Sequence, residues 1–447
     1  RISDEEYQGF FKKVILEETE TISLQESDDL GKLLSEAAEE FMLEREEDAS
    51  REQDLYSASD TPIVRLVDSI LVKAIKAGAS DIHIEPFENI YTVRYRMDGM
   101  LYKAMSLPSA IRNALVSRIK ILARLDIAER RVPQDGRIKL KVAATRTIDF
   151  RVSTLPTLFG ESVVMRLLDK SSLKMDMTQL GLSPASMEKF VRAIRKPYGM
   201  VLVTGPTGSG KTTTLYSALS TLNTPDRKIL TAEDPVEYNF QGINQVQVKE
   251  DVGLTFANSL RAFLRQDPDV IMVGEIRDQE TADIAVKAAL TGHLVLSTLH
   301  TNDCPSTITR LIDIGVKPYL VAGSLGMVLA QRLVRRLCPK CKEPLKKVSR
   351  QLLSRAGFSE EELPSLRLYQ GKGCDYYSGT GYKGRIGIYE ILEITDDLRD
   401  FILTAPSESQ LRAFAMERGM HTLRQEGIEK IREGSTSIEE IIQRTIA

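Results

Sequence analysis

Two periodicities alternate along residues 63–170. Apolar residues dominate a helical stretch from Ile63 to Ala77. In Tyr91–Met97, by contrast, tyrosine, valine, tyrosine and methionine alternate with Thr92, Arg94 and Arg96, the period-two pattern of a half-buried strand. Asp98-Gly99 supplies a tight turn after it. Ile111, Leu115, Ile119 and Leu122 then share one helical face, with Pro108 suited to a first turn. A second hairpin is predicted from Arg137–Val142 and Thr147–Ser153. The pattern predicts an α+β domain over residues 58–170.

After a linker expected at 171–183, short apolar runs alternate with helical stretches: Met200–Thr204, Ile229–Ala232, Val270–Val273 and Leu294–Thr298. Such alternation argues for a parallel sheet covered on both faces, within an α/β domain spanning 184–447. Leu320–Ala330 is the longest apolar run and predicts a buried helix, since a bilayer needs about 20 apolar residues. Beyond Leu337 the pattern changes to a Cys-containing insertion, about 336–392, and then to helices over 395–447. The first 57 residues are acidic. Leu30, Leu33, Leu34 and Ala37 recur there at helical spacing, and a docked helix and a solvated linker both fit. Ser57–Pro62 marks the boundary that follows.

The 447-residue length predicts two or three domains. A net charge of −3, without a basic, aromatic-rich stripe, argues against a nucleic-acid partner. Four cysteines make no disulfide framework in so long a chain. The chain opens Arg-Ile-Ser-Asp with no signal peptide, and the absence of Met at position 1 predicts a longer N-terminus. A cytoplasmic location is expected.

Gly205-Pro206-Thr207-Gly208-Ser209-Gly210-Lys211-Thr212 matches G-x-x-x-x-G-K-[ST], between an apolar strand and a helical run that starts at Thr213. Glycines let successive N–H groups turn toward phosphates, and the helix N-terminus adds a favourable dipole. The motif predicts ATP binding, with Lys211 on the β- and γ-phosphates and the Thr212 hydroxyl helping to hold Mg²⁺. Asp269–Gly274 is an apolar strand ending at Glu275, a carboxylate placed to polarise an attacking water. Glu233, Asp234 and Glu237 cluster after another strand, and His293 and His300 bracket Leu294–Leu299. Carboxyl ends of strands are where open α/β sheets bind ligands, and two histidines there could sense a γ-phosphate.

Taken together, the phosphate loop, Ala-Glu-Asp-Pro-Val-Glu, Val-Gly-Glu-Ile-Arg-Asp and Gly-His-Leu-Val-Leu-Ser-Thr-Leu-His-Thr-Asn resemble the type II/IV secretion ATPase family. Ser80-Asp81-Ile82-His83-Ile84-Glu85, Pro133-Gln134-Asp135-Gly136-Arg137 and Ser153-Thr154-Leu155-Pro156-Thr157 extend the resemblance over 58–447. Within the family the chain looks like its pilus assembly branch. The resemblance implies a RecA-like P-loop core, a smaller PAS-like domain, and a homohexamer whose hydrolysis drives pilin insertion through an inner-membrane platform protein. It implies Glu275 as the catalytic glutamate, Glu233 as the acidic-box residue and His300 as the histidine-box residue. Arg151, Arg166, Arg261 and Arg265 stand where family members supply arginines to phosphates, some from a neighbouring domain or subunit. A docking domain is expected before residue 1.

Cys338-Pro-Lys-Cys341 has the spacing of half a structural zinc site. Cys374 supplies a third thiol, but Tyr377 stands where a fourth cysteine belongs. Three thiolates hold Zn²⁺ if Asp375, another side chain or water completes the tetrahedron; the alternative is an insertion held by packing alone. A pseudopilus-driving type II secretion ATPase, a ring-shaped DNA translocase and a nucleotide-gated switch are the competing functional readings.

Overall fold

The computed structural model describes residues 62–143, 146–168, 176–345, 348, 350–358, 366–374 and 379–445. The leucine-spaced stretch at 30–37 and most of the expected boundary at 57–62 lie outside them. The described chain groups into two compact units. One runs up to Ser172 and takes in Gly373–Thr380; the other comprises Leu173–Lys372 and Gly381–Ala447.

In the first unit, helix α1 (Pro62–Lys76) precedes strands β1 (Asp81–Pro86), β2 (Ile90–Met97) and β3 (Met100–Pro108), followed by α2 (Arg112–Ala123), β4 (Gln134–Ala143), β5 (Arg146–Thr157) and β6 (Gly160–Leu168). The strands form an antiparallel sheet in the order β3-β2-β1-β6-β5-β4. Alternation puts Ile82, Ile84, Val93, Val152, Val163 and Met165 into a core with Leu66, Ile70, Leu115 and Ile119 of the two helices. Asp98 and Gly99 both take positive φ, at 49° and 86°, which sets the turn between β2 and β3. Register aligns one row across five strands: Arg96 opposite Asp81, Asp81 opposite Arg166, Arg166 opposite Arg151, and Arg151 opposite Arg137.

The second unit opens with α3 (Pro184–Ile194), capped by the Ser183 hydroxyl. Strand β7 (Gly199–Thr204) leads into α4 (Lys211–Leu222), β8 (Ile229–Glu233), β9 (Ile243–Gln247), α5 (Phe256–Phe263), β10 (Val270–Val273) and α6 (Gln279–Leu290). Then come β11 (Leu294–Leu299), α7 (Cys304–Asp313), α8 (Pro318–Ser324) and β12 (Leu325–Leu337). The insertion holds β13 (Lys342–Pro344), α9 (Arg350–Ala356) and β14 (Tyr369–Gly371); β15 (Tyr382–Glu393) and helices α10 (Asp396–Leu403), α11 (Glu408–Glu417), α12 (Leu423–Arg432) and α13 (Ile438–Arg444) complete it.

Seven strands line up as β15-β12-β7-β11-β10-β8-β9, all parallel except the edge strand β15. The four central strands are continuous apolar runs, as a sheet covered on both faces demands. One expectation fails here. Leu320–Ala330 is not a single buried helix, because α8 ends at Ser324 and the chain enters β12 at Leu325. Pairing of Met327–Ala330 with Val201–Thr204 of β7 decides the matter, and a short apolar run does not by itself distinguish strand from helix.

Candidate nucleotide site

Strand β7 delivers the phosphate loop at its carboxyl end, and α4 starts from Lys211. Gly205, Gly208 and Gly210 adopt φ of 147°, 78° and 92°, a region open to glycine and strained for residues with a Cβ. Two of them are also hemmed in by β12. A Cβ at Gly205 would stand 2.5 Å from the Gln331 carbonyl, and one at Gly210 would stand 2.8 Å from the Gln331 amide nitrogen. Gln331 in turn accepts from the Thr214 hydroxyl at 2.8 Å, so β12 forms a floor that holds loop and helix together.

Several observations fit a bound triphosphate. The first N–H groups of α4 have no partners within the helix. Pro206, Thr207, Gly208, Thr212 and Thr213 are exposed, whereas the Ser209 hydroxyl is buried without a hydrogen-bond partner. The Lys211 ammonium lies folded on its own loop, donating to the carbonyls of Gly205 at 2.8 Å and Pro206 at 3.1 Å. Burial lowers its pKa; the charge of Glu275 opposes that and the charge of Arg332 adds to it. A glutamate after β10 and an arginine on β12 therefore both act on the loop lysine. ATP fits these residues, and the exposed Thr212 is the side chain that would hold Mg²⁺.

Four strand ends bring the other candidates together. Glu275, two residues past β10, accepts from His300 Nε2 at 3.0 Å and from Arg277. Burial disfavours its charge, but the Arg277 hydrogen bond and charge, followed by those of His300, outweigh burial and hold its pKa below the ordinary glutamate value. Arg277 also faces Asp234 at 3.6 Å. Gly274, which precedes Glu275, is closely approached by β8: a Cβ there would stand 3.3 Å from the Ala232 carbonyl and 3.5 Å from the Glu233 Cα.

Glu233 is placed differently. Its side chain is 4% exposed, accepts from Tyr216 on one oxygen, and takes Thr231 at 2.5 Å and Gln245 at 3.0 Å on the other. Those three donors and the burial leave it closed off from solvent. The same carboxylate holds the Tyr216 phenol protonated, its pKa raised first by burial and then by the Glu233 charge.

The loop after β11 is a junction. His300 meets Glu275, Thr301 meets the Thr204 hydroxyl at the end of β7, and Asn302 accepts from Arg332 through its carbonyl at 3.0 Å and its side chain at 3.1 Å. Asp303 caps α7 and accepts from Arg412 of α11 at 2.6 Å. His293 does not share this place. It sits at the amino end of β11, with Nδ1 at 3.0 Å from the Ala288 carbonyl, a whole strand from the phosphate loop, so the expectation of paired sensing histidines reduces to His300.

The arginines divide as well. Arg261, near the C-terminus of α5, pairs with Glu280, and Arg265 donates to the Arg261 carbonyl at 3.0 Å. That helix end leads into the amino end of β10, opposite the phosphate loop of the same chain. Arg151 and Arg166 belong to the other unit, side by side in its cross-strand row. Arg332 and Gln331 carried no sequence signal, because a polar pair inside an apolar stretch acquires meaning only when β12 lies beside β7.

Cys338, Cys341 and Cys374 bring their sulfurs within 4.8 Å of one another. The Cys338 carbonyl accepts from the amides of Cys341 at 3.3 Å and Lys342 at 2.9 Å, which closes a tight turn around the pair. Sulfurs that share a tetrahedral zinc stand about 3.8 Å apart, from Zn–S bonds of about 2.3 Å, so the cluster suits that ion. Asp375 and Tyr377 lie outside the described residues.

A profile of the type II/IV secretion system protein family matches residues 56–443. The chain belongs to this family. As a type II/IV secretion ATPase, it hydrolyses ATP on a RecA-like P-loop core. It is 53% identical over 416 residues to the type IV pilus assembly ATPase PilB of Myxococcus xanthus, covering 93% of this chain and 74% of that protein. Against the type II secretion system ATPase E of Vibrio cholerae it is 49% identical over 412 residues, covering 91% of this chain and 80% of the relative. Among solved structures, the pilus retraction motor PilT with bound ADP matches at 27% identity and a TM-score of 0.57, with 84% of this chain and 95% of that one covered. Among the described residues no helix is long and apolar enough to cross a membrane.

Proposed function

We propose that the chain is the subunit of a hexameric, ATP-driven motor for type IV pilus assembly, working at the inner face of the inner membrane through a platform protein. The observation that carries the chemistry is the convergence of Lys211, Glu275 and His300 at the carboxyl ends of β7, β10 and β11. The pilus role is supported by the 53% identity to an assembly ATPase.

Glu275 is kept ionised by Arg277 and His300 and serves as the base that orients and polarises the attacking water. His300 fixes the direction of that carboxylate and is itself 51% exposed. Lys211 leaves its loop carbonyls for the β- and γ-phosphates and offsets charge as the bond to the leaving group lengthens. Mg²⁺, held with the help of Thr212, supplies further neutralisation of the phosphates. Glu233 supports β8 and Tyr216 rather than touching water. Arg151, Arg166, Arg261 and Arg265 serve as phosphate-facing arginines, some of them reaching a neighbouring subunit's nucleotide. Cys338, Cys341 and Cys374 hold zinc with a fourth ligand from elsewhere.

The test is genetic and enzymatic together. The chain, expressed in a bacterium lacking its pilus assembly ATPase, should restore pili, and the Glu275→Gln variant should not. Restoration of type II secretion without pili would favour the pseudopilus reading, which identities of 49% to secretion ATPases keep in play. Turnover that needs DNA would overturn both.

A further inference from the structure

The Ser80-Asp81-Ile82-His83 stretch carries no role in the nucleotide chemistry described above, yet it puts a carboxylate in the middle of the arginine row. Asp81 is 5% exposed. On β1 it is the cross-strand partner of Arg166 on β6 and of Arg96 on β2. Its Oδ1 accepts from Arg166 Nε at 2.8 Å, while its Oδ2 faces Arg96 Nε at 3.5 Å and accepts from the Ser80 hydroxyl at 2.9 Å. Arg96 is itself tied back, donating to the Gly99 carbonyl at 3.2 Å and facing His83 Nε2 at 3.5 Å.

We propose that Asp81 is the positioning residue for Arg166: a buried acid that holds the guanidinium of a phosphate-binding arginine by its Nε. The bond at Nε is the one that can orient Arg166 without using it up. It fixes the plane of the guanidinium and leaves the two terminal nitrogens, on a side chain 59% exposed, to receive an anion end-on. The row also explains why an acid is needed. Arg166 faces Arg151 and Arg151 faces Arg137 on neighbouring strands, with Arg96 one strand beyond Asp81, and like charges directly opposite repel. A single carboxylate between Arg96 and Arg166 relieves that repulsion and prevents the long, rotamer-rich Arg166 side chain from swinging away from its neighbour Arg151. A long side chain fixed before the ligand arrives loses less entropy on binding.

This inference rests on reading Arg166 as a phosphate-facing residue. The experiment is a double-mutant cycle in the assembled enzyme with Asp81→Asn and Arg166→Ala, scored by kcat, KM for ATP and thermal unfolding. Asp81→Asn keeps the shape and removes the charge. It is expected to lower kcat by roughly 10-fold or more, as a misplaced reacting group does, with unfolding temperature and KM near wild type. In the Arg166→Ala background the same change should cost nothing further, and Asp81→Glu should recover part of the rate. A full multiplicative loss in that background, or a loss that follows unfolding, would assign Asp81 to stability and overturn the clamp. Wild-type kcat in Asp81→Asn beside an inactive Arg166→Ala sinks the clamp alone; wild-type kcat in Arg166→Ala sinks both it and the reading beneath it.

Discussion

Two carboxylates stand at neighbouring strand ends of the same sheet and live in opposite surroundings. Glu233 closes β8 and is sealed by Tyr216, Thr231 and Gln245. Glu275 follows β10 and, among the described residues, pairs with His300 and Arg277, both about half exposed. A carboxylate buried under three side-chain donors is closed off from water, and its worth lies in the hydrogen bonds it would leave unmade if removed. A partly exposed carboxylate whose pKa Arg277 and His300 hold below the ordinary value is poised to act on water. The difference teaches that acids of equal standing in a motif are separated by what their neighbours leave unsatisfied.

That contrast can be broken at several points. Lys211→Ala is the largest, expected to lower turnover by about 10³-fold or more and to abolish ATP binding, checked by steady-state phosphate release and nucleotide titration. Glu275→Gln should lower kcat by about 10²–10⁴-fold while ATP binding and unfolding temperature hold; retained turnover above a tenth of wild type would remove Glu275 from the chemistry. For Glu233→Gln the signature reverses. An amide cannot accept all three of those donors, so stability should fall by about 1–3 kcal/mol in denaturant unfolding, while kcat falls by roughly 10-fold at most if the carboxylate never touches water. A stable Glu233→Gln with turnover as low as Glu275→Gln would erase the distinction.

The smallest effect is a shift in pH dependence. Because Arg277 and His300 depress the Glu275 pKa, the base stays ionised as pH falls below about 4.3, the ordinary glutamate value, and is lost only through the lower folded value. Removing the guanidinium in Arg277→Ala leaves burial less opposed, so the acidic limb of the kcat profile should move upward. A limb that stays put would mean that Arg277 does not govern Glu275.

Most of the candidate nucleotide site is legible in the sequence. The phosphate loop lies in one contiguous stretch whose glycines, lysine and threonine act through their own backbone and the helix that follows, so spacing alone specifies it. The acids at 233 and 275 and the histidine at 300 were legible as strand ends, because apolar runs of four to six residues mark the strands. His293 was misleading for the same reason: both flanks of a strand look alike until the direction of the sheet separates the carboxyl end from the amino end. Leu320–Ala330 is ambiguous in sequence because its apolar residues fit a helix as well as the strand that pairs with β7.

What the sequence by itself determined, then, is local: the phosphate loop, the periodicities of two α/β-containing units, the Cys-x-x-Cys turn and the family to which these belong. What only the tertiary structure decided is pairwise and distant. Gln331 lies under the phosphate loop only because β12 pairs with β7. Arg332 reaches Asn302 across 30 positions of sequence. Asp81 grips Arg166 across 85. Each of these depends on strand register, which follows from the burial of whole faces and is written in no short stretch of chain.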